Sequence, residues 1–340
     1  MNSMTNSKSA AVAAWSRYLI LLTLLTAGCT SLKPVELAPE YTPPPAHTAL
    51  WDTVGAAAKQ DWHVLLNEGP VALDWRLRAI DSASTSIDLQ TFLWHFDTAG
   101  AMVLDHLVAA ADRGVTVRIL IDDTFLVHED QLILALAEHP NIDYRVFNPF
   151  KRRSGGFATR QFLNLAEFRR LDHRMHNKAM VVDNRVAIVG GRNLADEYFG
   201  LHAEANFRDL EVIVGGPVAQ SIADEFDSYW NDRWSFPIEM LSHVEASPAD
   251  LAAARQVRDE NLHVHEEEST VERQARWLEI AAQAHDGRAT LFADEPPRKA
   301  PELATDAPVQ VAHALVDMFV AADDEIVIVS AYLFPTPALE

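Results

Sequence analysis

One cysteine in 340 residues, Cys29, excludes any disulfide within the chain. Basic residues are also scarce, with 28 Lys and Arg against 49 Asp and Glu, a net charge of −21. So acidic a chain has no general electrostatic footprint for nucleic acid, which needs a basic face. The apolar run near the start, Tyr18 to Ala27, is ten residues long, where a bilayer-spanning helix needs about 20. No stretch is low-complexity enough to make the chain wholly disordered. What is present, 49% hydrophobic residues over this length, suffices for one large core and part of a second.

The short apolar run follows Lys8 and Arg17 and ends in Leu25-Thr26-Ala27-Gly28-Cys29. This resembles a bacterial lipoprotein signal, with residues 1–28 removed and Cys29 lipidated. Cleavage leaves 26 basic against 49 acidic residues, a charge of −23. Several acyl chains on one residue anchor stably where one binds only marginally. Thr30 rather than Asp after the cysteine resembles the outer-membrane sorting pattern. The expectation is a protein of the bacterial cell envelope, lipid-anchored and facing the periplasm. Residues 29–58, with Pro34, Pro39, Pro43, Pro44 and Pro45, read as the lipidated cysteine and a stiff tether.

Beyond Trp62 the pattern alternates. Val71 to Ala83, Gly100 to Asp112 and Gln131 to Glu138 have helical spacing, while Ser86 to Trp94, Val115 to Ile121 and Ile142 to Phe147 read as strands. This predicts an α/β domain with a mostly parallel sheet and helices on both faces. Phe150 to Arg174 then carries Lys151, Arg152, Arg153, Arg160, Arg169, Arg170 and Arg174 against Glu167 and Asp172, interleaved with Phe150, Phe157, Phe162, Leu163, Leu165 and Phe168. A local excess of five positive charges suits an anionic membrane surface.

The centre of the chain follows: His176-Asn177-Lys178, then Asp183 and Gly190-Gly191-Arg192-Asn193. Lys178 to Val182 and Arg185 to Val189 read as strands around an Asp183-Asn184 turn. Strand parity puts His176 and Lys178 on one side, an imidazole beside an ammonium, which suits an anionic substrate. Gly190-Gly191 lets backbone approach a ligand, and Asn193 stands where a helix from Leu194 to Phe199 begins. Arg208 to Val214 reads as a strand carrying Asp209, and Ala219 to Trp234 as a core helix.

His-x-Lys-x4-Asp with the Gly-Gly-x-Asn tail and the downstream Phe207-Arg208-Asp209 resembles the phospholipase D superfamily. Phe147-Asn148-Pro149-Phe150, Arg174-Met175-His176-Asn177-Lys178 and Asp196-x-Tyr198-Phe199 look most like its bacterial cardiolipin synthase branch. The resemblance implies an α-β-α sandwich and phosphatidyl transfer between membrane phospholipids, with cardiolipin the expected product; the alternatives are a hydrolytic phospholipase D and an inactive, lipid-anchored fragment that binds membrane. It implies His176 as the nucleophile or as the acid that protonates the leaving alcohol, Lys178 and Asn193 on the phosphate oxygens, and Asp209 accepting a hydrogen bond from His176. Gly191, at the same phosphate position, stands where many members have Ser. Asp183 completes the catalytic motif, although parity turns it away from His176, where an ion pair would hold the hairpin. No metal or other cofactor is implied; His263-Val264-His265-Glu266 lacks a third ligand at a recognisable spacing and reads as a solvated face.

Such proteins usually pair two half-domains, each with one motif, and only one motif is present here. The expected organisation is a first phospholipase D-like domain at 59–240, an acidic helical connector at 241–307, and the beginning of a second domain at 308–340. There Val311 to Ala322 and Glu325 to Tyr332 repeat the helix–strand unit of Leu73 to Trp94. The second motif is expected from a missing C-terminal half or from a homodimer partner.

Overall fold

Asp183 and Asn184 both adopt left-handed backbone, with φ of 54° and 53°. Two such residues in succession make the hairpin turn whose twist matches the flanking strands, and Asp and Asn tolerate it best after glycine. The hairpin they close lies mid-sheet. The computed structural model describes residues 31–57, 61–126, 129–242, 268–296 and 310–328, and singly 249, 252, 256 and 260. Residues 1–28, Cys29, His263 to Glu266 and 329–340 lie outside the described residues.

Among these the strands are β1 (Trp62–Leu66), β2 (Ser86–Thr91), β3 (Thr116–Asp122), β4 (Ile142–Phe147), β5 (Ala179–Val182), β6 (Val186–Gly190), β7 (Glu211–Gly215), β8 (Ser235–Pro237) and β9 (His285–Asp286). They form one sheet in the order β8-β4-β3-β2-β5-β6-β7-β1-β9. The helices are α1 (Ala49–Ala57), α2 (Gly69–Ser82), α3 (Thr98–Asp112), α4 (Asp130–Ala137), α5 (Phe157–Leu163), α6 (Phe168–Leu171), α7 (Asp196–Phe199), α8 (Pro217–Trp230), α9 (Thr270–Gln283) and α10 (Gln310–Val320).

The sheet is mixed, not mostly parallel. Only β2–β3 and β3–β4 run parallel, and the other six pairings among the described residues are antiparallel. Parallel pairing needs a long crossover, and α3 and α4 supply the two that join β2, β3 and β4. Thereafter the chain returns through the β5–β6 turn and beside β6 as β7.

Helices cover both faces, giving the helix–sheet–helix layering expected. Alternation along β5 divides them: Met180 and Val182 join the core formed with α2, α3 and α4, while Ala179 and Val181 pack with Ala219, Ile222 and Ala223 of α8. The amphipathic spacing of α8 thus becomes one buried stripe that also includes Phe226 and Trp230.

The segment read as a tether is instead bonded along the domain. Leu32 N donates to Glu167 (3.2 Å), Val35 N to the Arg233 carbonyl (2.9 Å), Thr42 N to Asp227 (2.8 Å), and Ala46 N to the Asp183 carbonyl (2.9 Å). Thr42 Oγ1 also reaches Asp88, and Arg118 binds Asp88, Asp227 and Thr42 together. Proline keeps residues 31–46 extended; the bonds turn that extension into a strap. The connector differs in the same way. Trp277 of α9 is buried, donates Nε1 to Ser82 Oγ at 2.8 Å, and meets Trp51 and Trp75 edge-on. The single domain therefore includes elements on both sides of the 59–240 span.

At the far end α10 forms where a helix was expected, but Glu325 to Ile328 carry no strand, and Ile326, Val327 and Ile328 are exposed. A strand needs a neighbour for its backbone groups, and no described residue supplies one.

Candidate active site

Antiparallel pairing gathers four chain segments at one end of the sheet: the exit of β2, the entry to β5, the exit of β6 and the entry to β7. Phe92, His176–Lys178, Gly191–Asn193 and Asp209 lie on these four segments.

His176 to Lys178 precede β5, which begins at Ala179. Their placement comes from Asp122, fully buried at the end of β3. Its carboxylate accepts from Met175 N (3.0 Å), from Thr124, and from Arg174 Nη1 (3.1 Å). Asn148, itself left-handed, donates to the Arg170 and His173 carbonyls and fixes the same approach. With both flanks held, Lys178 Nζ comes 3.3 Å from His176 Nδ1 and donates to the His176 carbonyl at 2.6 Å. The Phe92 ring lies 4.6 Å from the imidazole, centroid to centroid, and 5.6 Å from Nζ.

Burial drives both titrations. The His176 pKa is lowered by desolvation and then by the Lys178 charge, which favours a neutral imidazole. Lys178 is almost wholly buried, and desolvation lowers its pKa to about 8, opposed by the charge of Asp209. A neutral histidine beside a largely protonated lysine is a nucleophile paired with an anion-binding charge.

Asn193 does not start a helix. The α7 helix begins at Asp196 after an Ala195 cap, and Asn193 is held separately: its Oδ1 accepts from Leu93 N (3.1 Å) and its Nδ2 donates to Tyr198 Oη (2.9 Å). Asp209 lies in the loop before β7 rather than on a strand. The described hydrogen bonds contain none between it and His176; its Oδ1 accepts from Leu210 N at 2.7 Å. Its carboxylate fills the space beside Gly191, where an added Cβ would lie 2.1 Å from Oδ1.

Asp183 belongs elsewhere. It sits fully buried at the opposite end of β5 and accepts from Ser84, Thr85 and Ser86 amides, the Ser84 and Thr85 hydroxyls, and Trp51 Nε1 at 2.6 Å. The ion pair expected to hold the hairpin is replaced by these neutral donors, because the turn is buried among backbone amides. Among the residues named from the sequence, the structure brings together His176, Lys178, Gly191, Asn193 and Asp209, and leaves Asp183 apart.

Several participants were not singled out. Arg192, inside the Gly-Gly-x-Asn string, donates to the Leu66, Asn67 and Asp209 carbonyls and so ties β1 to the site. Asn177 Nδ2 donates to the half-buried Glu225 carboxylate of α8, whose pKa desolvation raises to about 7. Phe92 and Tyr198 complete the rim. Their only sequence signal was membership of strings quoted for other residues, and Glu225 had none. One grouping among the described residues could hold a metal ion: His95, Asp97 and Glu197, with ligand atoms within 4.8 Å of one another. Asp97 there also caps α3 and accepts from Asp196 N, and desolvation with the neighbouring Asp196 raises its pKa to about 6.

Residues 77–230 match the family model described as "Cardiolipin synthase, PLD-like domain". That stretch is a phospholipase D-like domain. Proteins named as cardiolipin synthases are among the chain's relatives. It is similar to cardiolipin synthase C of Escherichia coli K12, at 40% identity over 176 residues, covering 52% of this chain and 36% of that protein. It is also similar to an uncharacterized protein of Helicobacter pylori J99, at 36% identity over 222 residues, covering 63% of this chain and 43% of that protein. The matches thus cover less than half the length of either relative. Among solved structures, a phospholipase D family member, Nuc from Salmonella typhimurium, overlaps 52% of this chain and 97% of its own, with a TM-score of 0.36 and 22% identity. No helix among the described residues is long and apolar enough to cross a membrane.

Proposed function

We propose that the chain carries half of a phosphatidyltransferase site that acts on membrane phospholipids through a covalent phosphatidyl-histidine at His176, with cardiolipin as product. The supporting observation is the approach of Lys178 Nζ to 3.3 Å from His176 Nδ1 at an open rim. Because Nδ1 faces the lysine, Nε2 is the nitrogen left for phosphorus. Its lone pair is free only when the proton is on Nδ1, so Lys178 gives up that contact as phosphate arrives and pairs with a non-bridging oxygen. Asp209, whose charge already acts on Lys178, is the carboxylate assigned to receive Nδ1–H. Asn193, fixed by Leu93 and Tyr198, binds a second oxygen.

As the P–N bond forms, the P–O bond to the leaving alcohol breaks, and that oxygen takes a proton from an acid supplied by a second copy of the motif. We place that copy in a further part of a longer protein or in a second copy of this chain. An incoming lipid hydroxyl then displaces His176 and loses its proton to the same group. The exposure of His176 favours one alternative, water as acceptor, which gives a hydrolytic phospholipase D. We assign the protein to the cell envelope, anchored through Cys29 and facing the periplasm.

Incubation with phospholipid radiolabelled in its phosphate tests the reading. Acid-labile label should appear on the protein and be absent from His176→Ala. Absence of label on the wild type, with His176→Ala performing equally in turnover, removes the proposal. Added phosphatidylglycerol or glycerol separates transfer from hydrolysis by product. Palmitate labelling of the wild type and its loss in Cys29→Ser tests the anchor.

A further inference from the structure

We infer that residues 150–172 and the start of the N-terminal strap form one docking face that lays the His176 rim on an anionic phospholipid bilayer. The choice of occupant rests on the phospholipid reading above; the location of the face rests on three observations.

The stretch points apolar side chains outward. Phe157, Phe162, Leu165 and Phe168 are 43%, 73%, 60% and 56% exposed. Phe162 follows the buried Arg160 by two positions, roughly 200° around α5, and so projects away from the protein. Single exposed apolar residues are ordinary, whereas four within twelve positions make a patch.

The basic residues divide into two sets. Arg153, Arg160, Arg170 and Arg174 turn inward and pair with Asp123, Asp130, Glu167 and Asp122. Arg152 and Arg169 remain exposed, against Asp172 from the same stretch. In a chain of net charge −21 this leaves a small positive rim around an apolar patch, complementary to anionic headgroups over acyl chains. The patch, rather than the full excess of positive charge, is what faces outward.

The face is continuous with the site and with the strap. Phe157 stacks on Phe125 at 5.6 Å, Phe125 meets Phe92 edge-on at 5.5 Å, and Phe92 lies 4.6 Å from His176. An aromatic path therefore runs from the patch to the imidazole. On its other side Ser31, Leu32 and Pro34 line a cleft of about 650 Å³ with Leu165, Phe168 and Trp234. Residue 29 is two peptide units from Ser31, at most about 7 Å of chain.

The test uses the full-length protein with Cys29→Ser, so that no acyl chain masks the effect, with and without Phe162→Glu/Phe168→Glu. Sedimentation with vesicles of phosphatidylglycerol and phosphatidylethanolamine should show binding at least tenfold weaker for the double variant. Arg152→Glu/Arg169→Glu should weaken binding to these vesicles but not to phosphatidylcholine vesicles. The melting temperature should be unchanged, and turnover of a short-chain, monomeric phospholipid should stay within twofold. His176→Ala should bind vesicles like its parent, so a failure of the catalytic reading leaves this result standing. Equal vesicle binding by the Phe162/Phe168 variant and its parent would overturn the inference. So would a melting temperature lowered by several degrees, which would show that another part of the protein covers the patch.

Discussion

Asp209 occupies the space that any side chain at Gly191 would need: a Cβ there would stand 2.1 Å from its Oδ1. The bare glycine therefore sets the position of the carboxylate whose charge acts on Lys178. Gly191→Ser should push Asp209 aside and remove part of that support. The Lys178 pKa, already lowered to about 8, should fall further, and the alkaline limb of the pH–rate profile should move to lower pH. Asp209→Asn should move it in the same direction. An unchanged alkaline limb in both variants would mean that Lys178 does not depend on this carboxylate.

Lys178 should be costly to the fold. With a folded pKa near 8 against 10.5, the unfolded chain binds more protons between those values. Stability should therefore rise with pH across that window, and the penalty should be fully present below pH 8. Lys178→Met should be more stable than wild type at pH 7, by on the order of 2 kcal/mol, and should lose turnover. Urea denaturation at pH 7 and pH 10 measures it; the gain should shrink at the higher pH.

Glu225 carries the opposite sign. Burial raises its pKa from 4.5 to about 7, so the folded state binds more protons between these values. Its contribution is fully present below about pH 4.5 and is lost as pH rises through 7. Glu225→Gln keeps an oxygen for Asn177 and removes the titration. At pH 8 the variant should exceed wild type by on the order of 2 kcal/mol, with the difference vanishing near pH 4.5. Parallel melting curves for the two proteins across this range would refute the assignment.

Asp183→Ala separates folding from chemistry. It strands buried amides of Ser84, Thr85 and Ser86 and the Trp51 indole, each worth roughly 1–3 kcal/mol when left unpaired. A loss above about 3 kcal/mol is expected, while turnover per folded molecule stays near that of wild type. Active-site titration on the folded fraction distinguishes this from a catalytic role, which would lower the rate per site.

The hairpin around Asp183 and the order of the first helices and strands were legible because their signals are local: periodicity, turn chemistry and spacing. Strand direction was not. The alternation from Ser86 to Phe147 is that of a parallel sheet and correctly describes β2 to β4, but it says nothing about β5, β6 and β7 inserting antiparallel beside β2. His176, Lys178 and Asn193 could be read from one string. Asp183 belongs to that string too, yet its donors lie 97 or more positions away, at the entry to β2 and on α1. The same distance hid the strap, since five prolines read identically in a free linker and in a bonded one. The basic stretch misled for a related reason: Asp122, Asp123 and Asp130, which neutralise its arginines, precede it in the chain.

The strap also imposes an order on folding. It is synthesised before any of its partners, and Glu167, Asp183, Asp227 and Arg233 follow by more than 130 residues. Those contacts carry large loop-closure entropy and can form only once β3, β5 and α8 are in place. The strap, made before these partners, is thus seated only after them, closing across Arg118 and the Asp183 turn.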